Sequence, residues 1–109
     1  MERIKVAVCG ALDTACDVLR EEGVSHIDSY SDALDLAFRL KQGEKYHLIL
    51  IHAPFGEGLI ETEYPYRTQI QGDWVKVPVR MLNEPACHSA LVELKSTVRS
   101  IAKEMGGTA

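Results

Sequence analysis

The 109-residue chain lacks several features that would assign it quickly to a functional class. It has no cluster of basic residues, and 16 acidic residues outnumber 12 lysines and arginines, which gives a formal net charge of -4. This balance disfavours a surface that follows the phosphates of nucleic acids. No apolar run approaches the roughly 20 residues that a membrane-spanning helix needs, and the first residues enter a strand instead of a signal peptide. We therefore expect a cytoplasmic protein that binds neither nucleic acid nor a membrane.

Cysteine and histidine are also sparse and scattered. The three cysteines are odd in number and show no CxxC spacing, which argues against a disulfide framework and against a zinc site. We interpret Cys9, Cys16 and Cys87 as small buried side chains in a reducing compartment. The four histidines fall on separate predicted elements. We expect neither a metal ion nor a cofactor.

The chain is organised around residues 46–54, an apolar run with a polar residue near each end and a closing proline. Consecutive apolar residues without alternation are typical of a strand that is buried on both faces, as in a parallel sheet covered by helices above and below. Ligands of such proteins gather at the carboxyl ends of the strands. His52 ends the run, so it stands where a functional group is expected.

The segments before this run predict two strand-helix-strand units. A first strand over residues 3–9 is followed by Gly10 and by a helix that Asp13 can cap with its side chain. Residues 24–28 predict a second strand, and a helix then begins near Asp32. Because strand-helix-strand crossovers are right-handed, the first strand should lie between the second and third.

The segment after the central strand departs from this pattern. Residues 59–70 and 74–82 have strand-like compositions, so we expect an antiparallel ribbon near residues 59–82 in place of a regular helical unit. Tyr64, Tyr66 and Trp74 concentrate aromatic side chains in the ribbon and are candidate interface residues. The alternative is that they cover the sheet where a helix is missing.

A long amphipathic helix completes the chain. It is predicted to begin at residues 83–85, with Pro85 in its first turn, and to end at the glycine pair 106–107. Together these elements predict a single α/β domain. Its expected architecture is a flavodoxin-like three-layer sandwich with a mainly parallel sheet of about five strands, in the order second, first, third and then the late strands.

Two segments resemble the receiver domain of two-component response regulators. Residues 31–52 are similar to the family's second helix and third strand, and residues 79–85 resemble its last strand and the proline that follows the signature lysine. In the family, two acidic residues after the first strand hold magnesium, an aspartate after the third strand accepts a phosphoryl group, and the lysine stabilises the phosphorylated form. Here those positions are held by Cys9 and Gly10, by His52 and by Glu84.

These departures imply a degenerate receiver. Phosphoryl transfer needs a metal ion and a cation to offset the charge that builds on the phosphoryl oxygens. A thiol, a glycine and a carboxylate supply neither. The resemblance therefore implies a non-enzymatic, receiver-like module of bacterial signal transduction. It would act by protein-protein interaction, with a protein partner or with itself as a homodimer through the ribbon edge or the last helix.

A competing resemblance implies chemistry. Residues 5–16 are similar to the phosphocysteine loop of the phosphotransferase-system IIB domains, in which a cysteine directly follows the first strand. Cys9 would then carry a phosphoryl group, and its thiolate would be activated by backbone amides and by the amino end of the first helix. Leu12 and Asp13 stand where that loop normally has small or hydroxyl residues. Cys9 and His52 could also form a nucleophilic pair, since both lie at the carboxyl ends of neighbouring strands.

A third possibility is a small-ligand site at the strand ends. Its candidate binding residues surround the carboxyl edge of the predicted sheet, and they are Gly10, Asp13, His52, Asn83 and Glu84.

Overall fold

The computed structural model describes residues 4–53, 60–62, 67–70, 73–75 and 77–106. The elements in chain order are β1 (Lys5–Cys9), α1 (Asp13–Glu21), β2 (His26–Tyr30), α2 (Ala33–Lys41), β3 (Leu48–His52), β4 (Ile60–Thr62), β5 (Arg67–Ile70), β6 (Asp73–Val75), β7 (Val79–Leu82) and α3 (His88–Gly106). Of the predicted interface residues, Tyr64 and Tyr66 lie outside the described residues. Trp74 lies in β6.

Four strands form a parallel sheet in the order β2-β1-β3-β7. The α/β class and the position of β1 between β2 and β3 are as the sequence predicts. The sheet has one strand fewer, among the described residues, than the five expected. β4, β5 and β6 pair with one another antiparallel in a separate three-stranded sheet. The predicted ribbon over residues 59–82 falls only partly within the described residues and stays a prediction.

The central strand β3 is buried on both faces because helices cover both. Leu48 and Leu50 join a core cluster with residues of α1 and α3, whereas Ile49 and Ile51 join a second cluster with residues of α2. The four side chains are fully buried. Burying an aliphatic side chain of this size contributes roughly 1.5–3 kcal/mol, so this strand is a main source of the stability of the fold.

The second strand begins two residues later than the sequence predicts. Val24 is buried in the α1–α3 core, and its N–H donates to the Leu19 carbonyl at 3.0 Å, so it completes the end of α1 instead of starting a strand. β2 therefore runs over His26–Tyr30, with His26 opposite Lys5 and Tyr30 opposite Cys9.

The strand predicted over residues 74–82 is divided between the two sheets. Trp74 pairs with Gln69 in the antiparallel sheet, whereas Val79 pairs with Ile49 in the parallel sheet. Pro78, which has no N–H to donate, precedes β7, and its carbonyl accepts the N–H of Ile49 at 2.9 Å. The alternation of apolar and polar residues in this segment could not show that its two halves belong to different sheets.

One predicted helix cap and one predicted helix start are corrected. Asp13 is the first residue of α1 and not its cap, since the cap position is Leu12 and no side chain at that position caps the helix. α3 begins at His88 and not at residues 83–85, because Glu84 and Ala86 are held by hydrogen bonds to Thr14 of α1. In contrast, the predicted start of α2 near Asp32 is confirmed: Asp32 is the cap residue, and its side chain accepts the N–H of Asp35 at 2.9 Å.

Candidate functional site

An open groove lies at the carboxyl edge of the parallel sheet. It has a volume of about 800 Å³ and runs from the turn after β1 to the end of β2, with His52 at the end of β3 beside it. Gly10, Asp13 and His52, three of the predicted binding residues, line this groove. Asn83 is exposed directly after β7, and Glu84 is directed at α1 instead. The structure therefore brings only part of the predicted ligand site together.

The floor of the groove depends on the turn after β1. Gly10 has a φ of 89°, a left-handed conformation that residues with a side chain rarely adopt. Its N–H donates to the carbonyl of Tyr30 at 2.9 Å. This bond ties the turn to the end of β2, so the two strand ends that flank the groove are held together.

The walls of the groove are polar and carry both signs of charge. The carboxylate of Asp17 and the guanidinium of Arg20 lie 3.4 Å apart on α1, and the hydroxyl-bearing residues Ser29 and Ser31 stand across from them at the end of β2. Such a lining offers both donors and acceptors, but it has no excess of cations with which to hold a phosphate.

Cys9 is fully buried on the side of the sheet that α2 covers, opposite the side that α1 covers. Its Sγ lies 3.7 Å from the carbonyl oxygen of Asp32. Burial, together with the negative charges of Asp32 and Asp35, raises the pKa of the Cys9 thiol to about 12. A thiol with this pKa is protonated at neutral pH, and the thiolate is the form that attacks. The contacts of Cys9 thus oppose a role as phosphoryl acceptor.

The amino end of α1 is occupied by a carboxylate of the chain itself. Glu84 accepts the N–H of Thr14 at 3.2 and 3.3 Å and the Thr14 hydroxyl at 2.5 Å. The Thr14 Oγ1 in turn accepts the N–H of Ala86 at 3.1 Å. A helix amino terminus attracts anions through its unpaired N–H groups and its dipole, and here Glu84 supplies the anion. The sequence predicted that Asp13 caps this helix, but the capping carboxylate is that of Glu84, 70 residues after Thr14.

The three cysteines differ in environment, which corrects their common interpretation as buried side chains. Cys9 is buried, Cys16 is partly buried and Cys87 is exposed. Cys87 precedes α3, and hydrogen bonds from the Ser89 hydroxyl and from backbone N–H groups at the start of the helix lower the pKa of its thiol. Sequence reasoning gave no signal for this environment, because a helix that begins at residues 83–85 would place Cys87 inside it, whereas α3 begins at His88.

A second polar cluster, which sequence reasoning missed, lies on the side of the sheet that α2 covers. The Tyr46 hydroxyl donates to the carboxylate of Asp28 at 2.7 Å and is hydrogen-bonded to the hydroxyl of Tyr30. Lys5 Nζ lies 5.0 Å from the centre of the Tyr46 ring and forms an ion pair with Glu44 at 2.9 Å. Burial, followed by these hydrogen bonds, raises the pKa of Tyr46 above its ordinary value. The cluster joins β2 to the segment directly before β3, and Tyr30 belongs both to it and to the lining of the groove.

The fold and the groove together define an α/β protein with a four-stranded parallel sheet and a polar groove at its carboxyl edge, compatible with a flavodoxin-like fold. No family model matches the chain, and no curated protein or solved structure matches it either. Among the described residues, no three metal-ligating side chains are grouped to hold an ion. None of the described helices is long and apolar enough to cross a membrane.

Proposed function

We propose that this chain is a non-enzymatic, receiver-like regulatory module that acts by binding protein and does not carry a phosphoryl group. In this proposal the sheet order β2-β1-β3-β7 corresponds to the flavodoxin-like arrangement of receiver domains. His52 and Glu84 occupy the positions at which receivers have the phosphoacceptor and the lysine.

The observation that carries the proposal is the carboxylate of Glu84 at the amino end of α1. An incoming phosphate would have to displace this carboxylate or share the site with it. Two anions a few ångströms apart repel each other, and this part of the edge has no excess of cations to offset them. Glu84 therefore acts as a fixed internal anion that stabilises an unphosphorylated state.

The phosphocysteine alternative is supported less well by the same contacts. A IIB-type cysteine has to face the amino end of the first helix and ionise readily. Cys9 instead lies on the opposite face of the sheet, with a raised pKa. Cys87 is the cysteine whose surroundings favour a thiolate, and it lies outside the segment that resembles the IIB loop.

Phosphoryl transfer tests the proposal. The chain is incubated with magnesium and acetyl phosphate, and separately with a phosphotransferase donor, and its intact mass is then measured. We expect no stable mass increase with either donor. Control variants Cys9→Ala, His52→Ala and Cys87→Ser identify the acceptor if one exists. A mass increase that one of these substitutions removes would overturn the proposal and name the nucleophile.

A further inference from the structure

The outer face of α2 carries an apolar pair that the rest of the chain leaves exposed. Leu34 is 62% exposed and Phe38 is 61% exposed, the largest fractions among the exposed large hydrophobic residues of the structure's described part. They are four residues apart, so they lie above one another on one side of the helix. The buried residues Leu36 and Ala37 anchor α2 to the core, so the orientation of the exposed pair is fixed.

A charged pair runs beside the apolar one with the same spacing. Asp35 lies in the first turn of α2 and Arg39 in the last, and both side chains are exposed. The Ser31 hydroxyl donates to the Asp35 carboxylate at 2.8 Å, which holds that carboxylate in place. The face therefore has two parallel stripes: Leu34 with Phe38, and Asp35 with Arg39. We call it the α2 face.

This pattern is complementary to itself under a two-fold rotation. Consider a two-fold axis that lies in the plane of the contact and runs perpendicular to the helix. It places the α2 helices of two copies antiparallel, and each stripe then faces the same stripe of the other copy in reversed order. Leu34 of one copy then meets Phe38 of the other, and Asp35 meets Arg39, twice each. An interface of this isologous kind is the commonest among homodimers. A parallel pairing would instead place the apolar stripe of one copy against the charged stripe of the other.

We infer that the chain forms a homodimer through antiparallel packing of the α2 face, with Leu34 and Phe38 at its centre and reciprocal Asp35–Arg39 pairs beside them. The inference rests on the proposed function, since it names a second copy as one protein that the module binds. It differs from the predicted contacts through the ribbon edge or the last helix. α2 has nine residues and is about 14 Å long. A contact this short is smaller than a standard interface, so the dimer is weak and depends on concentration.

Sedimentation velocity over a range of concentrations, with molar mass as the readout, tests the dimer. We expect the mass of the wild-type protein to rise from monomer toward dimer. Phe38→Ser should raise the dissociation constant about tenfold or more, because it removes a central aromatic contact. The matched control is Val92→Ser, which removes a 50% exposed apolar side chain from α3 and should leave the mass unchanged.

Charge reversal tests the geometry. Asp35→Arg and Arg39→Asp should each prevent association, because each variant brings like charges together twice. An equal mixture of the two variants should associate again, since every facing pair in the mixed dimer is then an Arg–Asp pair. Both positions are exposed, and unchanged circular dichroism spectra establish that the variants are folded.

Three results would overturn the inference. They are a wild-type monomer at every concentration, loss of the dimer in Val92→Ser but not in Phe38→Ser, and a mixture of the charge variants that stays monomeric. These results are independent of the phosphoryl-transfer test. A monomer that takes up no phosphoryl group refutes the α2 dimer alone, whereas a dimer that becomes phosphorylated refutes the proposed function alone.

Discussion

At the scale of single residues, Glu84 has the clearest role. Its carboxylate accepts a backbone N–H and a hydroxyl from Thr14, and it thereby satisfies the end of a helix whose own cap residue, Leu12, has no polar side chain. Substitution of a capping side chain usually costs about 1 kcal/mol, and a hydrogen bond to a charged group contributes about 1.5–3 kcal/mol.

Replacing Glu84 should therefore destabilise the whole domain. We expect Glu84→Ala to lower the free energy of unfolding by about 1–3 kcal/mol, as measured by urea denaturation. Glu104→Ala, an exposed position on α3, is the matched control and should change stability by less than about 0.5 kcal/mol. Equal stability of the two variants would show that the contact between Glu84 and Thr14 does not support α1.

The cysteines should react in an order set by exposure and pKa. Near neutral pH, iodoacetamide should modify Cys87 first, because it is exposed and its pKa is lowered, and Cys9 last, because it is buried with a pKa of about 12. Peptide mass spectrometry over a time course gives the order, with Cys87→Ser as the control. Modification of Cys9 before Cys87 in the folded protein would contradict the assigned environments.

Which of these residue roles could be predicted depends on how local each one is. The start of α2 near Asp32 could be predicted, because a side-chain acceptor directly before a helix can reach an N–H three residues on. The cap of α1 could not, because it comes from Glu84, 70 residues after Thr14. The burial of Cys9 followed from its place in a strand, but a strand pattern does not show which face a given helix will cover, so its separation from α1 could not be predicted.

At the scale of elements, α1 and α3 pack side by side on one face of the sheet and are joined at their edge by an ion pair. The Nε of Arg99 on α3 lies 2.7 Å from the carboxylate of Glu22 at the end of α1. The Arg99 hydrogen bond, followed by its positive charge, lowers the pKa of Glu22. A lowered folded-state pKa means that the contribution to stability is present above the ordinary carboxyl pKa and is lost as pH falls through the folded value.

The effect of removing this ion pair should therefore depend on pH. We expect Arg99→Ala to lower the thermal unfolding midpoint at neutral pH, and the difference from wild type to shrink as the solution is acidified below the pKa of the folded-state Glu22. Arg20→Ala, which breaks an exposed pair within α1, is the control and should have a smaller effect at neutral pH. A difference for Arg99→Ala that persists unchanged in acid would show that packing, and not the ion pair, joins these helices.

The elements themselves were predictable where burial dictates them. β3 is a continuous apolar run because both of its faces are covered, and α2 has a buried side and an acceptor before its first turn. The segment from 74 to 82 was not predictable, since one alternating pattern serves two strands in two sheets. The start of α3 was misplaced because proline is compatible with a first turn, whereas tertiary contacts of residues 84–86 decide the outcome.

At the scale of the whole molecule, the parallel sheet separates two regions with different roles. Its carboxyl edge carries the groove and the internal carboxylate of Glu84, and its α2 side carries the exposed face through which we infer self-association. The order of the strands followed from the handedness of crossovers, which is a general property of such sheets. The placement of Gly10, Asp13 and His52 at the carboxyl edge also followed, whereas the contact between Glu84 and Thr14 did not, because it joins distant segments.

The central claim is that the chain's own carboxylate holds the anion position at the amino end of α1. Titration of the isotope-labelled protein with inorganic phosphate, followed by the amide signals of residues 10–14 in NMR spectra, tests it most directly. We predict that these signals do not move in the wild-type protein, whereas the Thr14 amide shifts with phosphate in Glu84→Ala. Saturable shifts of the same amides in the wild-type protein would contradict the claim, because they would show that this site accepts an external phosphate while Glu84 is present.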